Sequence, residues 1–299
     1  MLLEVHNVSN TYKIYRGFGK KEGKPVLDRV TFDMSRGEIL GILGESGCGK
    51  TTLGKCILGL IEYDGSIRID NLRQGFLSKQ RRELSRKVQA VFQDPGGSLN
   101  PARSIGWILE EPLKIHRLGS KQERIKKVDE TLDLVGLESS YKTRAVQELS
   151  GGQRQRVSIA CALMLEPKLI IADEAVSSLD VSLGAQILNL FQDLHQRIKM
   201  GLLFISHNLK AVYHLCGRIA VMYQGQIVEI GPAEAVYTAP AHPYTRLLLE
   251  PLAGLKPVTP WREGCRFAPQ CPQKSQICIT PPELSPVPSE PSHFARCWN

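Results

Sequence analysis

Gly44-Glu45-Ser46-Gly47-Cys48-Gly49-Lys50-Thr51-Thr52 is the stretch whose reading decides the fold. An apolar run, Ile39-Leu40-Gly41-Ile42-Leu43, precedes it, and Leu53 to Leu58 can continue as a helix behind it. A buried strand, a glycine-rich turn and a helix start together make a phosphate cradle. Glycines carry no Cβ, so successive backbone N–H groups can converge on an anion. The helix start adds unpaired N–H groups and the positive end of its dipole. In this pattern Lys50 is placed to reach the β- and γ-phosphates of a nucleotide, and the Thr51 hydroxyl to ligate Mg²⁺.

Outward from the loop, strands and helices alternate, which predicts an α/β core. Residues 2–8 and 26–34 read as strands on the N-terminal side, with a Gly- and Lys-rich loop from Arg16 to Lys24 between them. Short strands are expected at 65–70 and 88–92. From about 96 to 149 the pattern turns helical and reads as an inserted subdomain. Within it, Ser120 with Glu123 forms a capping-box signature, Ile125, Val128, Leu132 and Val135 recur at helical spacing, and Gly136 is a stop. Alternation resumes with a helix at 153–165, a buried strand at 169–172, an amphipathic helix at 181–198 and a buried strand at 202–206. A hairpin turning at Gln224-Gly225 follows. Ten of the 18 prolines lie between Pro251 and Pro291, so regular structure is not expected there.

Asp173-Glu174 ends the apolar strand 169–172. In an α/β sheet ligands bind beyond the carboxyl ends of the strands. Asp173 can therefore hold Mg²⁺, and Glu174 can polarise a water that attacks the γ-phosphate. Leu149-Ser150-Gly151-Gly152-Gln153 opens a helix and forms a second anion cradle. One nucleotide does not need two cradles in one subunit, which suggests that this one serves a partner's nucleotide.

Composition bounds the rest. The hydrophobic fraction of 42% is that of a globular chain with a real core. No apolar run is long enough to span a bilayer, and the first residues lack the pattern of a signal peptide, so cytoplasmic residence is the expectation. The formal charge of +8 is scattered, apart from a cluster at 79–87 that reads as a solvated face. Of the eight cysteines, Cys265, Cys271, Cys278 and Cys297 crowd the tail, which in a cytosolic protein suggests metal before disulfide.

With these motifs in order, the sequence resembles the nucleotide-binding subunit of an ATP-binding cassette transporter over roughly residues 1–235. Tyr12 matches the aromatic that stacks on adenine, although Tyr15 could serve. Gly44 to Thr52 (Gly44, Glu45, Ser46, Gly47, Cys48, Gly49, Lys50, Thr51, Thr52) matches the Walker A loop. Gln93 matches the loop glutamine that touches Mg²⁺ and the membrane subunits. Leu149 to Gln153 matches the signature, with Ser150, Gly151, Gly152 and Gln153 as its nucleotide contacts. Leu169 to Glu174 matches Walker B with its catalytic glutamate, Ser178-Leu179-Asp180 the D-loop, and His207 the switch histidine. The resemblance implies an α/β P-loop NTPase, with a RecA-like core, an antiparallel β edge and an inserted helical subdomain. It also implies ATP and Mg²⁺ as ligands, with Thr51, Gln93 and Asp173 around the metal. The resemblance further implies Lys50, Gln93, Glu174 and His207 as the catalytic set. A head-to-tail dimer would then sandwich each ATP between Walker A of one subunit and the signature of the other.

Ser98-Leu99-Asn100-Pro101, His242-Pro243-Tyr244-Thr245 and the proline- and cysteine-bearing extension 236–299 narrow the resemblance to the ATPase subunits of oligopeptide, dipeptide and nickel importers. The run from Asp173 to Asp180 resembles the second ATPase of such pairs. The subfamily implies a second, different ATPase chain, two transmembrane permease subunits and an extracytoplasmic solute-binding protein, with this chain peripheral on the cytoplasmic face of the membrane. Related subunits carry a [4Fe–4S] cluster on such a tail, which favours a cluster over zinc at Cys265, Cys271, Cys278 and Cys297. The competing expectation, a soluble cassette ATPase acting on nucleic acid or ribosomes, lacks the tandem cassette or long coiled coil of that group, so no nucleic-acid partner is expected.

Overall fold

The computed structural model describes residues 1–16, 20–75, 80–250 and 264–298. In chain order the elements are β1 (Leu3–Arg16), β2 (Lys20–Met34), β3 (Ile39–Leu43), α1 (Lys50–Ile57), β4 (Asp64–Ile69), β5 (Leu72–Arg73), α2 (Arg81–Lys87), β6 (Val88–Val91) and α3 (Pro95–Ser98). Then come α4 (Ile105–His116), α5 (Lys121–Leu134), α6 (Gly151–Leu163), β7 (Leu169–Asp173), α7 (Val181–Ile198), β8 (Gly201–Ser206), α8 (Leu209–Leu215), β9 (Arg218–Tyr223) and β10 (Gln226–Pro232). The chain closes with α9 (Ala233–Thr238), α10 (Pro243–Leu249), β11 (Ser285–Val287) and β12 (Glu290–Ala295). Two compact units form, one of Met1–Leu3, Met34–Glu38 and Arg68–Leu203, the other of Glu4–Asp33, Ile39–Ile67 and Phe204–Asn299.

The first unit holds α2 to α7 and the parallel pair β6 and β7, in register from Val88 opposite Leu169 to Val91 opposite Ala172. All five residues of β7 are buried, as an apolar strand covered on both faces must be. α5 starts where the capping-box signature places it. Ser120 Oγ accepts from the Glu123 N–H at 3.3 Å, and the Glu123 carboxylate accepts from the Ser120 N–H at 2.6 Å. Val128, Leu132 and Val135 are buried behind it, and Gly136 turns the chain at φ 70°. α7 runs over Val181–Ile198, with Ile187, Leu190, Phe191 and Leu194 on its buried face.

The second unit carries β3, β9, β10, β12 and β11, with β3 parallel to β9 and the remaining pairs antiparallel. β3 is buried along its whole length. Gly41 lies where a Cβ would come within 2.4 Å of Val212 Cγ1, so α8 can press close against the strand.

Two expectations are corrected. The proline-rich tail is not irregular throughout: β12 pairs with β10, Glu229 opposite Ala295 and Ile230 opposite Phe294, and β11 pairs with β12. Proline lacks an N–H but is tolerated at strand starts and on edge strands, which is where Pro286 and Pro291 fall. The loop expected from Arg16 to Lys24 is mostly strand, since β1 reaches Arg16 and β2 begins at Lys20. Backbone pairing, which composition does not report, sets those ends.

Candidate functional site

In the second unit, β3 delivers the chain into the glycine-rich loop and α1 begins at Lys50 with Gly49 as its cap. Gly44 is required by space: a Cβ there would stand 2.4 Å from Met222 O and 2.8 Å from Cys48 Sγ. Lys50 is buried, and its ammonium donates to Gly44 O at 2.7 Å and Glu45 O at 2.9 Å. The lysine is thus folded back on its own loop, a posture that leaves the cation hydrogen-bonded rather than bare in a buried place. Ser46, Gly47 and Thr51 are exposed, while Gly49 and Thr52 are buried.

Neighbouring groups bias the loop's chemistry. Burial pushes the Glu45 carboxyl up, with the Lys50 charge pulling the other way. Burial pushes the Cys48 thiol up as well, against the Lys50 charge. Cys48 is buried within the loop, with its thiol held away from the thiolate form. Its carbonyl accepts from the Gly225 N–H at 2.8 Å, which ties the loop to the β9–β10 turn. Tyr12 stands exposed on β1, and His207 exposed at the end of β8.

In the first unit, Asp173 is buried at the end of β7 and Glu174 is half-buried beyond it. Glu174 has φ 53°, a left-handed conformation that a side chain rarely adopts, and its carbonyl accepts from Ser177 N–H at 3.1 Å and Ser177 Oγ at 2.8 Å. Such local strain concentrates where a side chain must be aimed. Gln93 is exposed after β6, and its carbonyl accepts from Ser178 Oγ at 3.3 Å, so the structure brings the glutamine loop and the Ser178-Leu179-Asp180 turn together. Asp180 caps α7 through the Leu183 N–H at 2.8 Å.

The expected second cradle is also a helix cap. Ser150 Oγ accepts from the Gln153 N–H at 3.3 Å and Gln153 Oε1 accepts from the Ser150 N–H at 2.9 Å, while Gln153 Nε2 donates to Tyr141 Oη at 2.9 Å. The Ser150 hydroxyl still has its proton to give, because a hydroxyl accepts and donates at once. Gly151 is exposed, and Gly152 is packed so that a Cβ would meet Leu183 Cδ2 at 3.0 Å.

The four tail cysteines lie in the second unit. Among the described residues, no three His, Cys, Asp or Glu side chains are gathered so as to hold a metal ion. The thiols are nonetheless within electrostatic reach of one another. Burial pushes Cys265 up, the N–H groups of Phe267 and Ala268 oppose it, and the charges of Cys278 and Cys297 add a smaller push upward. Cys271 behaves alike, with the Gln273 N–H opposing. The Cys265 N–H donates to Cys278 O at 2.8 Å, so these two ligand candidates are joined by backbone. Thiols bonded by nearby N–H groups suit a soft metal.

Sequence reasoning singled out His242-Pro243-Tyr244 without seeing its neighbours. Glu229, wholly buried, accepts from the N–H groups of Ala241 at 2.8 Å and His242 at 2.9 Å, and lies 2.6 Å from His293 Nε2. His242 Nδ1 accepts from the Tyr244 N–H at 3.1 Å and caps α10. Tyr244 Oη accepts from the Glu45 N–H at 3.2 Å, reaching the glycine loop. No local pattern marks Glu229 or His293, because what joins them is strand pairing.

The fold and these loops define a P-loop ATPase of the ATP-binding cassette class. Residues 27–177 match the ABC transporter family and residues 228–278 the oligopeptide/dipeptide transporter C-terminal region. The chain belongs to the ABC transporter family, and as its cassette it binds and hydrolyses ATP. It is 43% identical over 290 residues, 91% of each chain, to a peptide import ATP-binding protein of Brucella ovis, and 42% identical over 274 residues, 86% of this chain and 82% of the relative, to one of Brucella abortus. Among solved structures, cbiO1 of Clostridium perfringens, part of the ABC transporter complex cbiONQ, matches with a TM-score of 0.70 and 27% identity over 80% of this chain and 91% of its own. A dimeric ATP-binding cassette in a post-hydrolysis state with ADP and Pi matches with a TM-score of 0.67 and 28% identity, over 78% of this chain and 99% of its own. No helix of the described residues is long and apolar enough to cross a membrane.

Proposed function

We propose that this chain is the ATP-hydrolysing subunit of a peptide importer, docked on the cytoplasmic face of the membrane against two permease subunits and paired with a second cassette. The observation that carries the reading is the presence, in one chain, of the cassette at 27–177 and the oligopeptide-transporter region at 228–278. The named peptide-import relatives match it over 91% and 82% of their length.

Each loop then has a role. The N–H groups of Gly44 to Thr52 and the Lys50 ammonium would hold the β- and γ-phosphates, Tyr12 would stack on adenine, and Thr51, Gln93 and Asp173 would be the residues to hold Mg²⁺, which would neutralise phosphate charge. Glu174 polarises the attacking water, and His207 orients that water and the γ-phosphate. The partner's cradle, equivalent to Ser150 through Gln153, closes over the γ-phosphate, with Asp180 at the dimer seam. ATP is then a bridge between two cassettes. The partner's contacts to its γ-phosphate exist only in the closed dimer, so binding favours closure and hydrolysis releases it. An extracytoplasmic binding protein delivers the peptide.

The Glu174→Gln variant tests this reading. It should retain ATP, dimerise with its cognate cassette on a sizing column and lose turnover. Turnover at the parent rate refutes the assignment of Glu174, and failure of the tagged chain to co-purify with a peptide-family permease refutes the importer. A [4Fe–4S] cluster on the tail is carried by the thiol chemistry alone. An absorbance band near ~400 nm with bound iron after anaerobic purification would support it, and iron-free protein with four alkylatable thiols would exclude it.

A further inference from the structure

The peptide that joins Gly44 to Glu45 is gripped at both ends. Its carbonyl accepts from Lys50 Nζ at 2.7 Å, and its N–H donates to Tyr244 Oη at 3.2 Å, from a residue almost two hundred positions along the chain. Tyr244 is fully buried, its ring 4.5 Å from Tyr223 and 5.6 Å from Phe267, centre to centre. A phenylalanine would fill the same space, so packing alone does not call for the hydroxyl. Burial pushes that hydroxyl's pKa up, so it stays neutral.

The turn that presents Tyr244 is itself fixed. Glu229 on β10 accepts from the Ala241 and His242 N–H groups, His293 on β12 lies against the same carboxylate, and His242 Nδ1 accepts from the Tyr244 N–H. A second tie comes from the tail. Arg266 bonds to Gln224 O and Asp28, and the adjoining Gly225 N–H holds Cys48 O at 2.8 Å. The extension therefore holds the glycine loop at its entrance and at its middle.

We propose that Tyr244 is a positioning residue for nucleotide binding: its hydroxyl keeps the Gly44–Glu45 peptide plane in place when Lys50 leaves the loop carbonyls for a bound phosphate. The inference rests on the reading of Gly44 to Thr52 as the ATP phosphate loop. Without nucleotide, the peptide has two tethers. With nucleotide, Lys50 is drawn to the phosphates and Gly44 O loses its donor, so Tyr244 becomes the remaining tether on that peptide. Removing it lets the peptide rotate, and the apparent Kd rises by the inverse of the fraction still competent. One net hydrogen bond corresponds to a population ratio of about two- to tenfold.

The test is Tyr244→Phe in the full-length protein, with Mg·ATP binding by calorimetry, steady-state turnover, thermal melting without nucleotide, and hydrogen exchange at the Glu45 amide. The expected result is a Kd and KM for ATP about two- to tenfold higher, kcat at saturating ATP near the parent value, a faster-exchanging Glu45 amide and little change in melting. A variant that melts lower but binds ATP as the parent does would reduce Tyr244 to a packing residue and overturn the proposal. Lys50→Ala runs alongside: loss of ATP binding there with parent-like binding by Tyr244→Phe refutes only the positioning role, whereas parent-like binding by Lys50→Ala refutes the phosphate-loop reading and the inference with it.

Discussion

Replacing Gly225 by alanine should loosen the seat of the glycine-rich loop from a position outside that loop. Gln224 and Gly225 both have positive φ, 43° and 80°, the conformation a two-residue hairpin turn requires. A Cβ on Gly225 would stand 2.1 Å from Val26 O and 3.2 Å from Leu27 Cα, both backbone atoms that no rotamer change can move. The turn and β2 must therefore separate by about the shortfall from van der Waals contact, on the order of 1 Å. That separation strains two hydrogen bonds, Gly225 N–H to Cys48 O at 2.8 Å and Asp28 N–H to Gly225 O at 3.0 Å. Alanine at positive φ costs about 1–2 kcal/mol, and the two bonds about 1 kcal/mol each, for a total of about 3–4 kcal/mol. At roughly 2–4 °C per kcal/mol for chains of this size, melting should fall by on the order of 10 °C. Gly217→Ala is the control, since a Cβ there meets nothing within 4 Å. Thermal unfolding followed by circular dichroism, with and without Mg·ATP, reads the result. A Gly225→Ala protein that melts within about a degree of the Gly217→Ala protein would refute the reasoning.

Acid should weaken the tail's hold through His242. Burial, partly opposed by Glu229 and assisted by Arg296 and Arg246, pushes its imidazole down to about 4. An unfolded histidine titrates near ~6.5, so between those values the unfolded chain binds the extra proton, and stability is full above about pH 6.5 and falls as pH drops toward 4, by up to about 3 kcal/mol. Urea midpoints measured across that range should slope downward with acid, and less steeply in His242→Asn; equal slopes would contradict the assignment. Cys48, buried and with its thiol pushed up by that burial, should escape N-ethylmaleimide at neutral pH in the native protein and react once denatured, as peptide mass spectrometry would show. Ser150→Ala removes the helix cap seen at 3.3 Å from the Gln153 N–H and should lower stability by about 1 kcal/mol, a loss visible in melting before any effect on turnover is considered.

The cassette motifs were legible because their signals are local. A glycine cradle, a strand-end Asp173-Glu174 and a serine–glutamine helix start each declare their chemistry within a few residues, and α7 and the Ser120 cap follow from periodicity and capping alone. The tail was misjudged because its composition was read without its pairing. Pro286 and Pro291 look like breakers until β11 is seen at the sheet edge and Pro291 near the start of β12.

The amino-acid order by itself determined the cassette motifs, the α/β alternation and the kind of ligand, because each depends on backbone freedom or side-chain chemistry over a span shorter than one element. Only the tertiary structure decided that Tyr244 reaches the Glu45 N–H, that Glu229 and His293 fix the turn bearing it, and that Gly225 must lack a Cβ. Those facts depend on strands distant in sequence lying side by side, and a hydrogen bond between residues so far apart has no period or spacing by which a sequence could announce it.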